Sequence, residues 1–241
     1  SVYWCTFEIE NQVPDKTTIY LGTGYGFYDS LKMFVVRQDN TVETLETGDT
    51  TSFDERPIPH RSFVLPLALA SGERTRVFLR FAAREVLVLN LNLYHGDSFR
   101  AEMKEDTLAT GFIYGVLVIM ALYNFCLLIW TRDSLYFYYT IYVLSSGAVG
   151  FTLMGLGFQY LWPGWPGWHN VSLPFISILN VVLSCQFFRV YLNTRQDSEK
   201  VDKLFKWLMT VAAVMLPLHF FFPLALAAIL GTALILLLAL L

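Results

Sequence analysis

The sequence predicts a β-sandwich or jelly-roll extracytoplasmic domain over residues 1–100, followed by an all-α polytopic membrane bundle over residues 101–241 that reads as truncated. Three observations carry this. First, 55% of the 241 residues are hydrophobic and only 15% are charged, against about 25% charged in an ordinary soluble domain. Second, the charge is uneven. Up to Asp106 there are 11 Lys and Arg against 16 Asp and Glu; from Thr107 onward there are 6 against 4. Third, the first part alternates apolar and polar residues with period two, whereas the second contains long uncharged apolar runs.

The alternation begins at once. Tyr3, Cys5, Phe7 and Ile9 interleave with Trp4, Thr6, Glu8 and Glu10. Ile19 and Leu21 flank Tyr20, and Val77, Leu79 and Phe81 flank Phe78 and Arg80. Leu87, Leu89, Leu91 and Leu93 interleave with Val88, Asn90, Asn92 and Tyr94. Period two puts one face of each strand on a core. Turn residues separate the strands at Asn11–Asp15, Gln38–Asn40 and Ala70–Glu73. The glycines at 22, 24 and 26 have no helix pattern after them, so they read as a turn or bulge and not as a phosphate loop. Asp97 or Ser98 is a cap for a helix leading into the membrane.

A span needs about 20 mainly apolar residues. Thr107–Thr131 is uncharged and forms the first. Ser134–Phe188 is uncharged but too long for one helix. The Pro-, Gly- and Trp-rich stretch Gln159–Asn170 divides it into a second span near 135–158 and a third near 171–192. A polar stretch, Asn193–Lys206, precedes 35 uncharged residues, Trp207–Leu241. As one helix these would rise about 50 Å, more than a bilayer needs, so they read as a fourth span, a turn near His219–Pro223 and an incomplete fifth. Arg132, Arg189, Arg195, Lys200, Lys203 and Lys206 fall on one side of this arrangement, which should be cytoplasmic. The N-terminal domain then lies outside. Ser1 begins within a strand pattern and Leu241 ends within an apolar run, so both ends read as cuts in a longer protein.

Charge and motif exclude several functions. No basic cluster suits nucleic acid. Cys5, Cys126 and Cys185 leave the soluble part with one thiol and no internal disulfide. His60, His95, His169 and His219 are isolated, and no cofactor is expected. The centres of the spans lack Asp, Glu, Lys and Arg, which argues against a pump. Asn124, Ser145, Ser146, Asn180 and Ser184 are polar residues inside them, and Asn124 and Asn180 suit bonds across helices better than catalysis. Asn90, Asn92 and Tyr94, joined by Trp4 and Arg80, make a candidate pocket for a sugar: rings stack on its CH faces and amides meet its hydroxyls. A plain solvated sheet face is the competing account. Glu8, Glu10, Asp49, Asp54 and Glu55 are carboxylates that either bind calcium or are simply solvated; no calcium-loop spacing is present.

The stretch Ser52-Phe53-Asp54-Glu55-Arg56-Pro57-Ile58-Pro59-His60-Arg61-Ser62-Phe63-Val64-Leu65-Pro66-Leu67 is similar to a hallmark of the bacterial seven-transmembrane receptors with diverse intracellular signalling modules (7TMR-DISM). The opening around Trp4 and the Gly72–Arg80 strand resemble their type 2 extracellular domain. Gly111–Gly115, Ala121–Asn124, Arg132-Asp133 and Gly155–Pro163 resemble their membrane region. The resemblance implies a jelly roll similar to carbohydrate-binding modules, coupled through seven spans to a histidine kinase or diguanylate cyclase. By matching position it adds Arg56 to Trp4 and Arg80 as a pocket residue; pairing of Arg56 with Asp54 or Glu55 is the other account. The expected role is thus a sensor in the bacterial inner membrane, with the segment itself not an enzyme. Its expected partners are the lipid bilayer, a small carbohydrate-like ligand and a second copy in a homodimer. Coupling is expected to run through Ser98–Thr107. A partner-binding membrane module is the alternative.

Overall fold

The computed structural model describes residues 1–24, 26–83 and 89–218. Among these, seven strands form two antiparallel sheets: β1 (Val2–Glu10), β2 (Thr17–Gly22), β3 (Ser30–Val36), β4 (Val42–Thr47), β5 (Val64–Leu69), β6 (Arg74–Ala82) and β7 (Asn92–His95). One sheet has the order β1-β6-β3-β4 and the other β5-β2-β7. The alternation read from the sequence sets which face is buried. Leu31, Met33 and Val35 of β3 and Val77, Leu79 and Phe81 of β6 meet Leu21 of β2 and Leu65, Leu67 and Leu69 of β5 in one core. Tyr28 and Phe63 are fully buried in it. Burying side chains of this size stabilises the fold by roughly 1.5–3 kcal/mol each.

All three turns expected from the sequence form, each held by its polar residues. The buried Asn11 side chain donates to the carbonyls of Asp15 and Ala70 and accepts from the Val13 amide. In the β3–β4 hairpin Asn40 is left-handed, with φ 64°, and the Asp39 carboxylate accepts from the Thr41 amide and hydroxyl. In the β5–β6 hairpin the Ala70 amide donates to the Glu73 carboxylate. The long alternation read over 87–94 is strand only at β7; Leu87 and Val88 lie outside the described residues.

The helices are α1 (Gly96–Thr131), α2 (Ser134–Leu153), α3 (Pro166–Tyr191), α4 (Thr194–Asp197) and α5 (Glu199–Leu218). Among the described residues, α1 and α3 are long and apolar enough to cross a membrane. The turn expected near His219–Pro223 and the fifth span lie outside the described residues. Three helix limits differ from the sequence reading: α5 already begins at Glu199, inside the polar stretch expected to precede the fourth span. The second span was expected to reach Phe158, but α2 stops at Leu153 and Gly155 turns left-handed, with φ 78°. The third begins five residues early because Pro166 opens α3, where its missing N–H is no loss and its fixed φ suits the first turn.

The chain folds as two compact units. One comprises Ser1–Thr107 together with Met154–Asn170; the other comprises Leu108–Leu153 and Val171–Leu241. A division at residue 100 thus does not foresee that the α2–α3 segment belongs with the sandwich. In the helical unit, Ile178, Val181 and Cys185 of α3 pack on Phe205, Leu208 and Ala212 of α5. The Ser145 and Ser146 hydroxyls donate to Asn180 Oδ1 across α2 and α3, at 2.7 and 3.1 Å. This is the interhelical role expected of Asn180. Asn124 instead donates to the Met120 carbonyl of its own helix.

Candidate functional site

The six predicted ligand residues occupy separate places. Trp4 and Arg80 are paired in register on β1 and β6, with Lys32 of β3 next in the same row. They lie on the outer face of the four-stranded sheet. Trp4 is 60% exposed and stacks on Phe34 at 5.9 Å. Phe78 sits in the next row between Thr6 and Phe34. Lys32 is paired with Glu46, and Arg74 and Arg76 are both paired with Glu8. Among the described residues Arg80 makes no ion pair. This face therefore offers an exposed ring beside an uncommitted cation.

Asn92 and Tyr94 lie on the other sheet, opposite Gly22 and Tyr20 of β2. They do not join Trp4 and Arg80, because the sandwich core separates the two outer faces. The first turns of α1 cover their face. Phe99 stacks on Tyr20 at 4.7 Å and lies 6.0 Å from Tyr94. The Tyr94 hydroxyl donates to Glu102 at 2.8 Å. Tyr94 is thus a seat for the helix rather than half of a pocket with Trp4. Asn90 lies between the β6 and β7 strands, with its amide nitrogen 3.0 Å from where a Cβ on Gly24 would stand.

Arg56 stands apart from the other five. It is only 7% exposed, so it presents little surface to solvent. Nor does it pair with Asp54 or Glu55, which are exposed. A single 3₁₀ turn, Phe53–Glu55, and the extended Arg56 that follows fold its side chain inward. There the guanidinium carbon lies 4.2 Å from the ring centre of Phe63, 4.8 Å from Phe53 and 5.2 Å from Phe158. Nη1 donates to the carbonyls of His60 and Arg61 at 2.9 and 3.2 Å. Burial pushes its pKa down to about 10, opposed by nearby Asp49. It therefore remains charged at neutral pH. A desolvated cation held among ring faces is stabilised by about 2 kcal/mol.

Phe158 brings in the α2–α3 segment. It sits in a π-helical turn, Gly157–Leu161, closed by the Trp162 amide donating to the Gly157 carbonyl. Its ring stacks on His169 at 4.2 Å, and His169 stacks on Phe27 at 5.0 Å. Phe53 meets it edge-on at 5.7 Å. The Pro163 carbonyl accepts from the Phe53 amide and the Ser52 hydroxyl, at 2.9 and 3.1 Å. The approach is backbone-close: a Cβ on Gly155 would stand 2.8 Å from the Arg61 carbonyl oxygen. Phe81, Tyr28, Phe63, Arg56, Phe158 and His169 thus form a continuous run of contacts from the sandwich core to the segment. A further ion pair joins Arg61 to Asp106 of α1. His60, packed against Phe99, is held by burial below its ordinary pKa of 6.5.

The sequence reading also passed over a second buried charge, in the helical unit. Asp202 of α5 is 5% exposed and accepts from Arg189 of α3 at 2.9 Å, with Lys206 at 2.7 Å. The sequence reading takes the basic residues around it only as a topology signal; Asp202, which gathers Arg189 and Lys206, is the clue it misses.

Fold and site together define a β-sandwich unit continuous with helices long and apolar enough to cross a membrane. Family models identify the two parts: 7TMR-DISM extracellular 2 matches residues 1–95, and 7TM diverse intracellular signalling matches residues 106–241. The chain belongs to the 7TMR-DISM family of transmembrane sensors. Neither a curated protein nor a solved structure matches it.

Proposed function

We propose that the chain is the sensing and membrane-spanning part of a bacterial receptor, with the β-sandwich on the periplasmic side of the inner membrane and several spans across it. The ligand is carbohydrate-like and binds the outer face of the four-stranded sheet, at Trp4, Phe34 and Arg80. The observation that carries this reading is the contrast between the sandwich's two outer faces. One is covered by α1, whereas the other leaves Trp4 60% exposed beside Arg80, which makes no ion pair among the described residues. An aromatic plane with a neighbouring donor suits a sugar ring and its hydroxyls. Gathering of the six basic residues near the α1–α2 and α3–α5 connections supports the orientation. Catalysis then belongs to an output module, a histidine kinase or a diguanylate cyclase, outside these residues.

A glycan array probed with the full chain in lipid nanodiscs tests the ligand. The expected result is binding to a defined saccharide class that Trp4→Ala or Arg80→Ala weakens about tenfold or more, as loss of a central aromatic or Arg contact does. Binding that both substitutions leave intact overturns the assignment. An array without hits, with Trp4→Ala instead abolishing capture of a second protein or copy, favours a partner-binding module.

A further inference from the structure

The sensor reading placed the path to the membrane in the first turns of α1. The β-unit has a second covalent exit: Met154–Asn170 belongs to it and continues into α2 at one end and α3 at the other. We propose that Arg56 is a positioning residue that seats this segment on the sandwich, so that a change in the sensor reaches α2 and α3 directly as well as α1. The functional half of this inference rests on the sensor reading; the structural half does not.

Three features single out Arg56. It is a buried cation that, among the described residues, donates to two backbone carbonyls while its Nε has no acceptor. A buried charge must recover its desolvation cost, and here Asp49 and three ring faces lie near enough to offset it. What the guanidinium adds is geometry. Its plane lies among Phe53 and Phe63 of the sandwich side and Phe158 of the segment, while its nitrogen fixes the His60–Arg61 backbone. The Arg61 carbonyl, held in this way, is the same atom that leaves no room for a side chain at Gly155 and at Gly26. One side chain thus sets the ring of the π-turn and the backbone against which the segment lies. The seat is also releasable. Water reaching the guanidinium offsets part of the loss of the rings, so a ligand that prefers the docked or the released segment shifts the balance.

Hydrogen exchange of the full chain in lipid nanodiscs tests the seat without any ligand. Progressive ring fluorination at Phe158 keeps its shape and drains the ring face of electrons. The expected result is a stepwise rise in exchange over 155–163, reaching about tenfold with a trifluorinated ring, while β6 amides at Val77–Phe81 stay within about twofold. Arg56→Lys gives a smaller rise and Arg56→Met a larger one. No change over 155–163 along the fluorination series overturns the proposal. An equal rise in β6 also overturns it, since Arg56 would then be a general support of the fold. The second readout is the basal output of the intact receptor in its own membrane at matched abundance. Arg56→Met is expected to shift it several-fold. Increased segment exchange with unmoved output rejects the α2–α3 path and leaves sensing through α1. A wild-type receptor without any output rejects the sensor reading, while exchange still decides the seat.

Discussion

The two outer faces of the sandwich are built from the same alternation and put to opposite uses. On the four-stranded sheet, Trp4, Phe34, Phe78 and Arg80 stand in adjacent rows, Trp4 exposed and the other three half-buried. On the three-stranded sheet, Tyr20 and Tyr94 lie under Phe99 of α1. Aromatic residues on an exposed strand position thus have two meanings. Where a neighbouring helix supplies a ring, they are mechanical attachments; where nothing does, they remain available to a ligand. In the proposed reading this difference separates receiving a signal from passing it on, and both faces belong to a single unit of about 120 residues.

The comparison breaks most readily on its covered side. Phe99 is 8% exposed and packs on Tyr20, Tyr94 and His60. Phe99→Ala is expected to destabilise the β-unit by about 3 kcal/mol, the usual cost of deleting a buried ring. Denaturant unfolding of the full chain followed by hydrogen exchange in β2 and β7 measures it. A loss below about 1 kcal/mol would mean that α1 merely rests on the sheet.

Acid gives a smaller effect on the same side. Burial lowers the pKa of His60 in the folded chain, while Ser62 and Asp106 oppose this and Arg61 and Arg56 reinforce it. The unfolded chain therefore binds the proton first. His60 contributes full stability above pH 6.5, and this is lost as pH falls from there through the folded value. His60→Gln is expected to flatten that part of the stability profile between pH 7 and pH 5. An unchanged slope would assign the acid sensitivity to other groups.

The open side is expected to respond least in stability. Trp4→Ala should change unfolding free energy by no more than about 0.5 kcal/mol, as for exposed positions generally, while removing saccharide binding. A large loss of stability would show that Trp4 supports the sheet through Phe34 and is not held for a ligand.

Much of the fold was legible in the chain because it depends on local pattern. The strands at Tyr3–Ile9 and Val77–Phe81 follow period two, and Asn11, Asn40 and Gly72 mark turns through their own hydrogen bonds or backbone preference. The uncharged runs give helices because only a helix satisfies its own backbone in an apolar setting. The candidate site was less legible. Trp4 and Arg80 are neighbours by register, which pairing of β1 with β6 supplies and neither strand contains. Asn92 and Tyr94 carry the same polar-face signature but lie across the core. Arg56 beside Asp54 and Glu55 reads as an ion pair or a ligand contact; the 3₁₀ turn instead aims it inward at rings 7 and 102 positions away, Phe63 and Phe158.

The sequence by itself determined a β-sandwich joined to apolar helices, an acidic first part, and the family to which both belong. Periodicity, charge and turn chemistry are properties of neighbouring residues, so they survive without a structure. Only the tertiary structure decided that Met154–Asn170 belongs with the sandwich unit and that a buried arginine lies among three rings, one of them the segment's Phe158. Cation–π contacts and desolvation depend on which distant surfaces meet, and that is settled when the chain closes on itself.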